Sequence, residues 1–299
     1  MKVAVIGVGV MGTAIAGRLL ESGATVHLYD PVPEKCAPLV ARGAVAAGSA
    51  SGASAPARFV ITSLNSADVV ERAVFGPDGV AAAGSPEKLL VDMSSIDPAR
   101  TAEMAARLRS TTGMGWVDAP LSGGAPAAAQ GALTLMLGGT DEDVARATPL
   151  LTLLAARRTH FGPAGSGQTV KLINQVLCAS AFLAVAEAVR FAEAHGVDAT
   201  RIPEALAGGR ADSRILQEFM AKMARRDFSP TGRIDNMLKD LETVQAAALA
   251  RRVPMPVTSL IADLHRLLVA GGLGPADSAE YVRLFDLAAN NTPTDKDHT

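Results

Sequence analysis

The chain opens with a strand, a glycine-rich turn and a helix, a combination that few folds accommodate. An apolar β-run that ends at Ile6 leads into the turn. An amphipathic helix follows and stops before Gly23, and a second β-run closes on Asp30. These elements form a complete βαβ unit, whose crossover helix places the two strands side by side and parallel. The N-terminal part is therefore predicted to be an α/β domain with a parallel sheet.

The turn has the spacing of a dinucleotide-binding loop. Gly7 permits a tight turn, Gly9 lets the backbone approach a pyrophosphate, and Gly12 lets the helix pack close to the strand. A carboxylate at Asp30 accepts hydrogen bonds from ribose hydroxyls and repels a 2′-phosphate. No arginine follows Asp30 immediately, so the turn predicts NAD, with NADP disfavoured. The alternative is a strand-turn-helix unit without a ligand.

Three further β-runs, Phe59–Thr62, Leu89–Val91 and Gly115–Val117, alternate with Ala-rich helices. This alternation is typical of a doubly wound parallel sheet of the Rossmann type. Leu133–Leu137 and Thr159–Phe161 are predicted to extend the same sheet.

The strand patterns stop after Phe161, where a Gly- and Pro-rich stretch, 162–167, interrupts the chain. We predict a Rossmann domain over 1–164 and an all-α domain for substrate binding and oligomerisation over 165–299, with a flexible tail over 290–299. A long interdomain helix is predicted over Gln168–Ala194. Later helices are predicted over Arg201–Ala207, Ser213–Arg225, Met237–Arg251 and Pro256–Ala270.

Composition and charge exclude several classes of partner. A net charge of -2 argues against nucleic acid. The longest apolar run, Val176–Ala186, is shorter than the roughly 20 residues that span a bilayer, so no membrane segment is predicted. Cys36 and Cys178 stand apart, without a metal-ligand spacing, which predicts a cytoplasmic protein with no metal site. A hydrophobic content of 48% leaves apolar surface to bury and favours an oligomer.

Three polar residues interrupt an otherwise apolar helix: Lys171, Asn174 and Gln175 lie at i, i+3 and i+4. Apolar neighbours such as Leu172 and Val176 give little sign of a solvated face, and polar groups in such a stretch must be paired or used. An ammonium group donates the proton that a carbonyl needs when hydride reduces it. Lys171 is therefore the candidate proton donor, and Asn174 and Gln175 are candidate substrate ligands. The alternative for Lys171 is an ordinary surface lysine.

A second candidate site lies in the loop after the β-run at Gly115–Val117. Ser122, Gly123 and Gly124 can turn several backbone N–H groups toward one point, which suits a small carboxylate. An ordinary Gly-Gly turn explains the motif equally well.

Several motifs occur together in one order along the chain, and with them the sequence resembles the β-hydroxyacid dehydrogenase family from Gly7 to about Phe285. They are Gly7–Gly12, Asp92–Ile96, Asp118–Gly124, Gly165–Gly167 leading to Lys171–Gln175, and Lys239–Leu241. The resemblance implies a nicotinamide-dependent dehydrogenase with a Rossmann domain and a helical domain that forms dimers or tetramers.

The resemblance also implies roles for single residues. Lys171 becomes the general acid/base and Asn174 orients the substrate, whose carboxylate is held by Ser122, Gly123 and Gly124. Ser95 is implied near the nicotinamide ribose, and Lys239 closes over the site. Without the resemblance, Lys239 and Asp240 would be taken as a solvated pair. The residues implied to bind the cofactor are Gly7, Gly9, Val10, Met11, Gly12, Asp30, Leu64, Asn65, Ser95 and Lys239.

Two departures from the family pattern carry information. Gln175 stands where many members have asparagine, which resembles the tartronate semialdehyde reductases. Ser63-Leu64-Asn65 replaces a commoner Met-Leu-Pro, so backbone contacts to the cofactor are expected there rather than side-chain contacts. We therefore expect hydride transfer between NAD(H) and a small pair such as tartronate semialdehyde and glycerate, or a 3-hydroxyisobutyrate-like pair. An imine reductase on the same scaffold and a non-catalytic NAD-binding sensor are the alternatives.

Overall fold

The structure, a computed structural model, describes residues 1–286. The chain divides into two compact units, Met1–Lys171 and Leu172–Thr299. The division falls within a single helix, a few residues beyond the boundary that we predict after residue 164. The predicted tail over 290–299 lies outside the described residues.

A six-stranded parallel sheet forms the centre of the first unit. Its strands are β1 (Lys2–Ile6), β2 (Thr25–Tyr29), β3 (Val45–Ala46), β4 (Phe59–Thr62), β5 (Leu89–Asp92) and β6 (Gly115–Asp118). They lie in the order β3-β2-β1-β4-β5-β6. This order reverses between β1 and β4, which confirms the doubly wound sheet predicted from the sequence.

Helices connect the strands of this unit. They are α1 (Val10–Glu21), α2 (Ala37–Val40), α3 (Ala50–Ser54), α4 (Ala67–Phe75), α5 (Pro98–Thr112), α6 (Gly124–Ala129) and α7 (Asp141–Leu154). Alternate residues of β1 belong to two different apolar clusters: Val3 and Val5 to one, Ala4 and Ile6 to the other. Because side chains alternate along a strand, the sheet is buried on both faces.

A separate three-stranded sheet corrects one prediction. Its strands are β7 (Leu121–Ser122), β8 (Leu133–Leu137) and β9 (Ala155–His160), with β7 antiparallel and β9 parallel to β8. The prediction that the last two extend the main sheet is wrong, because within residues 1–286 β6 pairs with this region through an isolated antiparallel bridge between Asp118 and Gly138 and not through a ladder. β9 also begins earlier than predicted, since its exposed arginines hide any apolar pattern.

The second unit is helical, as predicted. The helix α8 (Ser166–Ala194) enters it from the first unit. It is followed by α9 (Ile202–Leu206), α10 (Arg214–Arg225), α11 (Ile234–Ala250), α12 (Pro256–Leu268) and α13 (Arg283–Asp286). One apolar cluster joins α8, α10, α11 and α12, with Phe219 packed edge-on against Phe182 at 4.7 Å between ring centroids.

The helix α8 is unusually apolar for its length. Within residues 1–286 it is the one helix long and apolar enough to cross a membrane, with a mean hydropathy of 1.8 in its most apolar window. This test uses only the length and the composition of a helix, and the core helix of a soluble protein passes it as well. The prediction of no membrane segment rested on uninterrupted apolar runs, which the polar residues of α8 break.

Candidate active site

The glycine-rich turn lies between β1 and α1, at the carboxyl end of the first strand. A Cβ atom added to Gly12 would lie 1.9 Å from the carbonyl oxygen of Gly7, so α1 approaches the turn too closely for any side chain. Gly9 differs, because an added Cβ would meet no protein atom within 4 Å. Packing inside the protein thus requires glycine at position 12 and leaves room at position 9, as a bound pyrophosphate would need. Of the other turn residues, Val10 is exposed and Met11 packs on the core.

Asp30 follows β2 and is buried against this turn. Its Oδ2 accepts a hydrogen bond from the backbone N–H of Val8 at 2.8 Å, and its Oδ1 accepts one from Val32 at 3.0 Å. The Nζ of Lys35 lies 3.4 Å from Oδ1. Asp30 therefore holds the turn in shape in addition to presenting a carboxylate beside it.

A cavity of about 570 Å³ opens next to the turn. Gly7, Gly9 and Asp30 line it, together with Leu64 and Asn65. The backbone N–H of Leu64 is itself held by Ser94 Oγ at 3.0 Å. Five of the predicted cofactor residues of the first unit thus line one cavity, whereas Val10, Met11, Gly12 and Ser95 are absent from its lining.

Sequence reasoning missed two basic residues of this cavity, Lys35 and Arg72. Lys35 is reached by a short turn after Asp30, and Arg72 comes from α4. The prediction of NAD rested on the absence of an arginine immediately after Asp30. It therefore did not include cations that later elements bring to the cavity.

Two buried carboxylates end neighbouring strands, Asp92 on β5 and Asp118 on β6. Oδ1 of Asp92 accepts hydrogen bonds from Thr62 Oγ1 at 2.8 Å and from the Ser94 N–H at 3.1 Å. Within residues 1–286 its Oδ2 has no partner. Burial, which outweighs these hydrogen bonds, raises the pKa of Asp92 to about 6.

Asp118 anchors the beginning of α8. Its Oδ1 accepts a hydrogen bond from the N–H of Gly165 at 2.9 Å, and its Oδ2 accepts one from Gln168 at 3.0 Å. Burial raises the pKa of Asp118, while these backbone hydrogen bonds act in the opposite direction. A carboxylate at this position satisfies N–H groups that the first turn of a helix leaves without partners.

The side chain of Gln168 adds a second connection. Its Nε2 donates to the carbonyl oxygen of Ser94 at 2.8 Å, and its Oε1 accepts from the N–H of Ile96 at 3.2 Å. The first turn of α8 is thereby fixed to the loop after β5. Lys171 lies one turn further along α8, half-buried, and is the last residue of the first unit. Its position is thus set from the carboxyl edge of the sheet, the edge at which doubly wound sheets bind ligands.

The loop predicted to bind a carboxylate adopts a conformation that only glycine accommodates easily. Gly123 has a φ of +118° and Gly124 one of +66°, directly after Ser122 at the end of β7. A Cβ atom at Gly123 would also lie 2.7 Å from that of Ala127. The chain therefore turns sharply at these glycines, and carboxylate binding by their N–H groups stays a prediction.

The candidate residues of the second unit form a connected polar group on α8 and α11. Gln175 Nε2 donates to Asp240 Oδ2 at 2.6 Å, and Lys239 Nζ lies 3.1 Å from Asp240 Oδ1. Asn174 Nδ2 donates to Gln175 Oε1 at 3.0 Å. Asp240 is only 6% exposed, so the view of Lys239 and Asp240 as a solvated pair is wrong. Asp240 was missed as a site residue because its partner Gln175 is distant in sequence.

The comparison with protein families decides the classification. Residues 2–162 match the NAD binding domain of 6-phosphogluconate dehydrogenase, and residues 165–285 match the NAD-binding domain of NADP-dependent 3-hydroxyisobutyrate dehydrogenase. The chain belongs to the β-hydroxyacid dehydrogenase family. This dehydrogenase is thus an oxidoreductase that uses a nicotinamide cofactor, as the resemblance of its motifs implied.

Individual relatives agree with this classification. The dehydrogenase is 34% identical to the 2-hydroxy-3-oxopropionate reductase of Escherichia coli over 97% of this chain and 99% of that protein. It is 36% identical to the NAD-dependent L-serine dehydrogenase of Pseudomonas aeruginosa, covering 95% and 98% respectively. Among solved structures, 3-hydroxyisobutyrate dehydrogenase of Mycobacterium tuberculosis with L-serine has a TM-score of 0.86 at 30% identity, covering 95% and 98%.

More distant structures share only the fold. An imine reductase of Streptomyces aurantiacus has a TM-score of 0.66 at 21% identity, covering 95% of this chain and 99% of that one.

A metal site was not predicted from the sequence. Residues 1–286 contain no group of three or more His, Cys, Asp or Glu side chains arranged to hold an ion.

Proposed function

We propose that this dehydrogenase transfers hydride between NAD(H) and a small 2-hydroxy-3-oxo acid, with tartronate semialdehyde and glycerate as the preferred pair. The observation that carries the proposal is the attachment of α8 to the sheet. Because Asp118 and Gln168 fix its first turn, Lys171 is held relative to the carboxyl edge beside which the glycine-rich turn also lies. The similarity to 2-hydroxy-3-oxopropionate reductase over nearly the full chain supports the substrate class.

The nicotinamide supplies the hydride when it is bound. The turn Gly7–Gly12, with open space at Gly9, would hold the pyrophosphate of the dinucleotide, and Asp30 would hold a ribose, with backbone groups of Leu64 and Asn65 and the side chain of Ser95 nearby. We favour NAD over NADP because a buried carboxylate at Asp30 repels a 2′-phosphate. Lys35 and Arg72 oppose this preference, although Lys35 already faces Asp30 at 3.4 Å.

The chain's own residues handle the proton and the substrate. Ser122, Gly123 and Gly124 hold the substrate carboxylate, and Lys171 Nζ gives a proton to the aldehyde oxygen during reduction. In the second unit, Asn174 orients the substrate, while Gln175 and Lys239 support the site. In oxidation the same Lys171 nitrogen takes the proton from the hydroxyl.

Replacement of Lys171 tests the proposal. We expect Lys171→Ala to lower kcat for tartronate semialdehyde by about 10²- to 10⁴-fold, the usual contribution of a general acid, with NADH affinity retained. Lys222→Ala serves as the control, because it removes a lysine on α10 that is hydrogen-bonded to Ser229. Full turnover by a folded Lys171→Ala protein would contradict the mechanism, and turnover of cyclic imines alone by the unaltered protein would favour imine reduction.

We also infer that the dehydrogenase is a homodimer or homotetramer. Ile173, Leu177 and Phe191 on α8 are 55%, 65% and 69% exposed. The helix α8 therefore has exposed apolar side chains, whereas the sequence predicted buried surroundings for its polar residues. Large exposed apolar side chains along one helix are typical of subunit interfaces. Light scattering coupled to gel filtration would measure the mass directly.

A further inference from the structure

The buried carboxylate of Asp240 controls the direction of a neighbouring side-chain amide. Its Oδ1 faces Lys239 Nζ at 3.1 Å, and its Oδ2 lies 2.6 Å from Gln175 Nε2. A carboxylate only accepts hydrogen bonds. The NH₂ group of Gln175 must therefore point at Asp240, and its Oε1 must point the other way.

The direction of the Gln175 amide fixes that of Asn174 in turn. Gln175 Oε1 lies 3.0 Å from Asn174 Nδ2. If the Asn174 amide were rotated by half a turn about its Cβ–Cγ bond, its Oδ1 would face Gln175 Oε1 at this distance, and both atoms are acceptors. The second hydrogen of Asn174 Nδ2 points to Cys178 Sγ at 3.6 Å. Both N–H bonds of Asn174 are thus directed at neighbours in the second unit.

Oδ1 of Asn174 is therefore the atom that this half-buried side chain has left for a ligand, and it only accepts hydrogen bonds. An amide whose direction is fixed discriminates between ligand groups, because a ligand without a donor leaves the oxygen desolvated and unpaired. A freely rotating amide would accommodate donors and acceptors alike.

We propose that Asp240, acting through Gln175, makes Asn174 an obligate hydrogen-bond acceptor and so selects acids that carry a donor group at C2. The inference rests on the proposed function in one respect, the contact between Asn174 and the substrate. Tartronate semialdehyde has a hydroxyl at C2 where methylmalonate semialdehyde has a methyl group of similar size. The two compounds differ chiefly in the donor that the fixed Oδ1 requires.

The test is the ratio of kcat/KM for tartronate semialdehyde to kcat/KM for methylmalonate semialdehyde. We expect the unaltered dehydrogenase to favour the hydroxyl compound by at least about tenfold, the value of one net hydrogen bond. In Asp240→Asn, the new amide can pair with either orientation of the Gln175 amide. Gln175→Met removes the hydrogen bonds that connect Asp240 to Asn174. Both variants should lower the ratio by about tenfold, and the ratio cancels any change in NADH affinity, which both substrates share.

The matched control is Asp263→Asn on α12, where the carboxylate is 70% exposed and pairs with Arg266. It should leave the ratio unchanged. If the unaltered protein prefers the hydroxyl compound and both relay variants keep its ratio, the relay is wrong and the proposed function stands. If the unaltered protein reduces neither aldehyde, the proposed function fails and the inference fails with it. A protein that reduces both equally overturns the relay alone.

Discussion

Asp118 Oδ2 accepts a hydrogen bond from the backbone N–H of Gln168 at 3.0 Å, so the last residue of β6 caps the helix that carries Lys171. Together with the bond from the Gly165 N–H to Asp118 Oδ1, this contact joins the sheet, which binds the cofactor in this family, to the helix of the candidate proton donor. Asp118 is fully buried, and its substitution affects stability and geometry together.

We expect Asp118→Ala to reduce the free energy of unfolding by about 1–3 kcal/mol, because two N–H groups lose a buried partner. It should also lower kcat at least about tenfold, since Lys171 is no longer held in position. Thr140→Ala, which removes the N-cap of α7, should cost about 1 kcal/mol and leave kcat unchanged. Urea unfolding and steady-state kinetics separate the two effects. Equal kcat values for the two variants would show that Asp118 has only a stabilising role.

The two glycines of the turn should respond differently to alanine. Gly12→Ala brings a Cβ to 1.9 Å from the Gly7 carbonyl oxygen, so we expect a loss of about 1–3 kcal/mol or more in unfolding free energy. Gly9→Ala meets no protein atom and should change stability by about 0.5 kcal/mol at most. Its NADH affinity, measured by fluorescence titration, should nevertheless fall about tenfold. Unchanged NADH affinity of Gly9→Ala would show that the pyrophosphate does not bind at this turn.

Cofactor preference should depend on Asp30. We expect Asp30→Asn to lower the ratio of kcat/KM with NADH to that with NADPH at least about tenfold, because the charge that repels a 2′-phosphate is gone. The ratio cancels general effects of weakening the contacts to Val8 and Val32. Lys35→Met should raise the same ratio, since it removes a cation from the cavity. Parallel changes in both variants would exclude a direct electrostatic role for this pair.

Protonation of Asp92 should make stability depend on pH. Its pKa is raised from 3.8 to about 6 in the folded state, so the folded protein binds this proton more tightly than the unfolded chain. The stabilisation is complete below about pH 3.8 and is lost as pH rises through about 6. The free energy of unfolding of Asp92→Asn should therefore rise relative to the unaltered protein by about 2–3 kcal/mol between pH 4 and 8.

Urea unfolding over that pH range measures this difference. Asp68→Asn provides the control, because this exposed carboxylate has its pKa lowered by Arg100 and loses its contribution at lower pH. A difference between Asp92→Asn and the unaltered protein that does not vary with pH would show that Asp92 keeps an ordinary pKa.

Much of the first unit follows from local pattern. The strands β1, β2, β4, β5 and β6 are short apolar runs separated by glycine-bounded helices, and the turn at Gly7–Gly12 carries its own spacing. These signals are local because both faces of the sheet are buried, which forces apolar residues at nearly every strand position. β9 gave no such signal, since its exposed side chains include Arg157 and Arg158.

The sequence by itself determined the family, the two-part organisation and a set of candidate site residues, because motifs such as Gly7–Gly12 and Lys171–Gln175 are contiguous. Only the tertiary structure decided how these residues are held. Asp118 meets Gln168, and Asp240 meets Gln175, across long separations in the chain. Hydrogen bonds of this kind depend on where whole helices and strands end in space, and no local spacing in the sequence encodes that position.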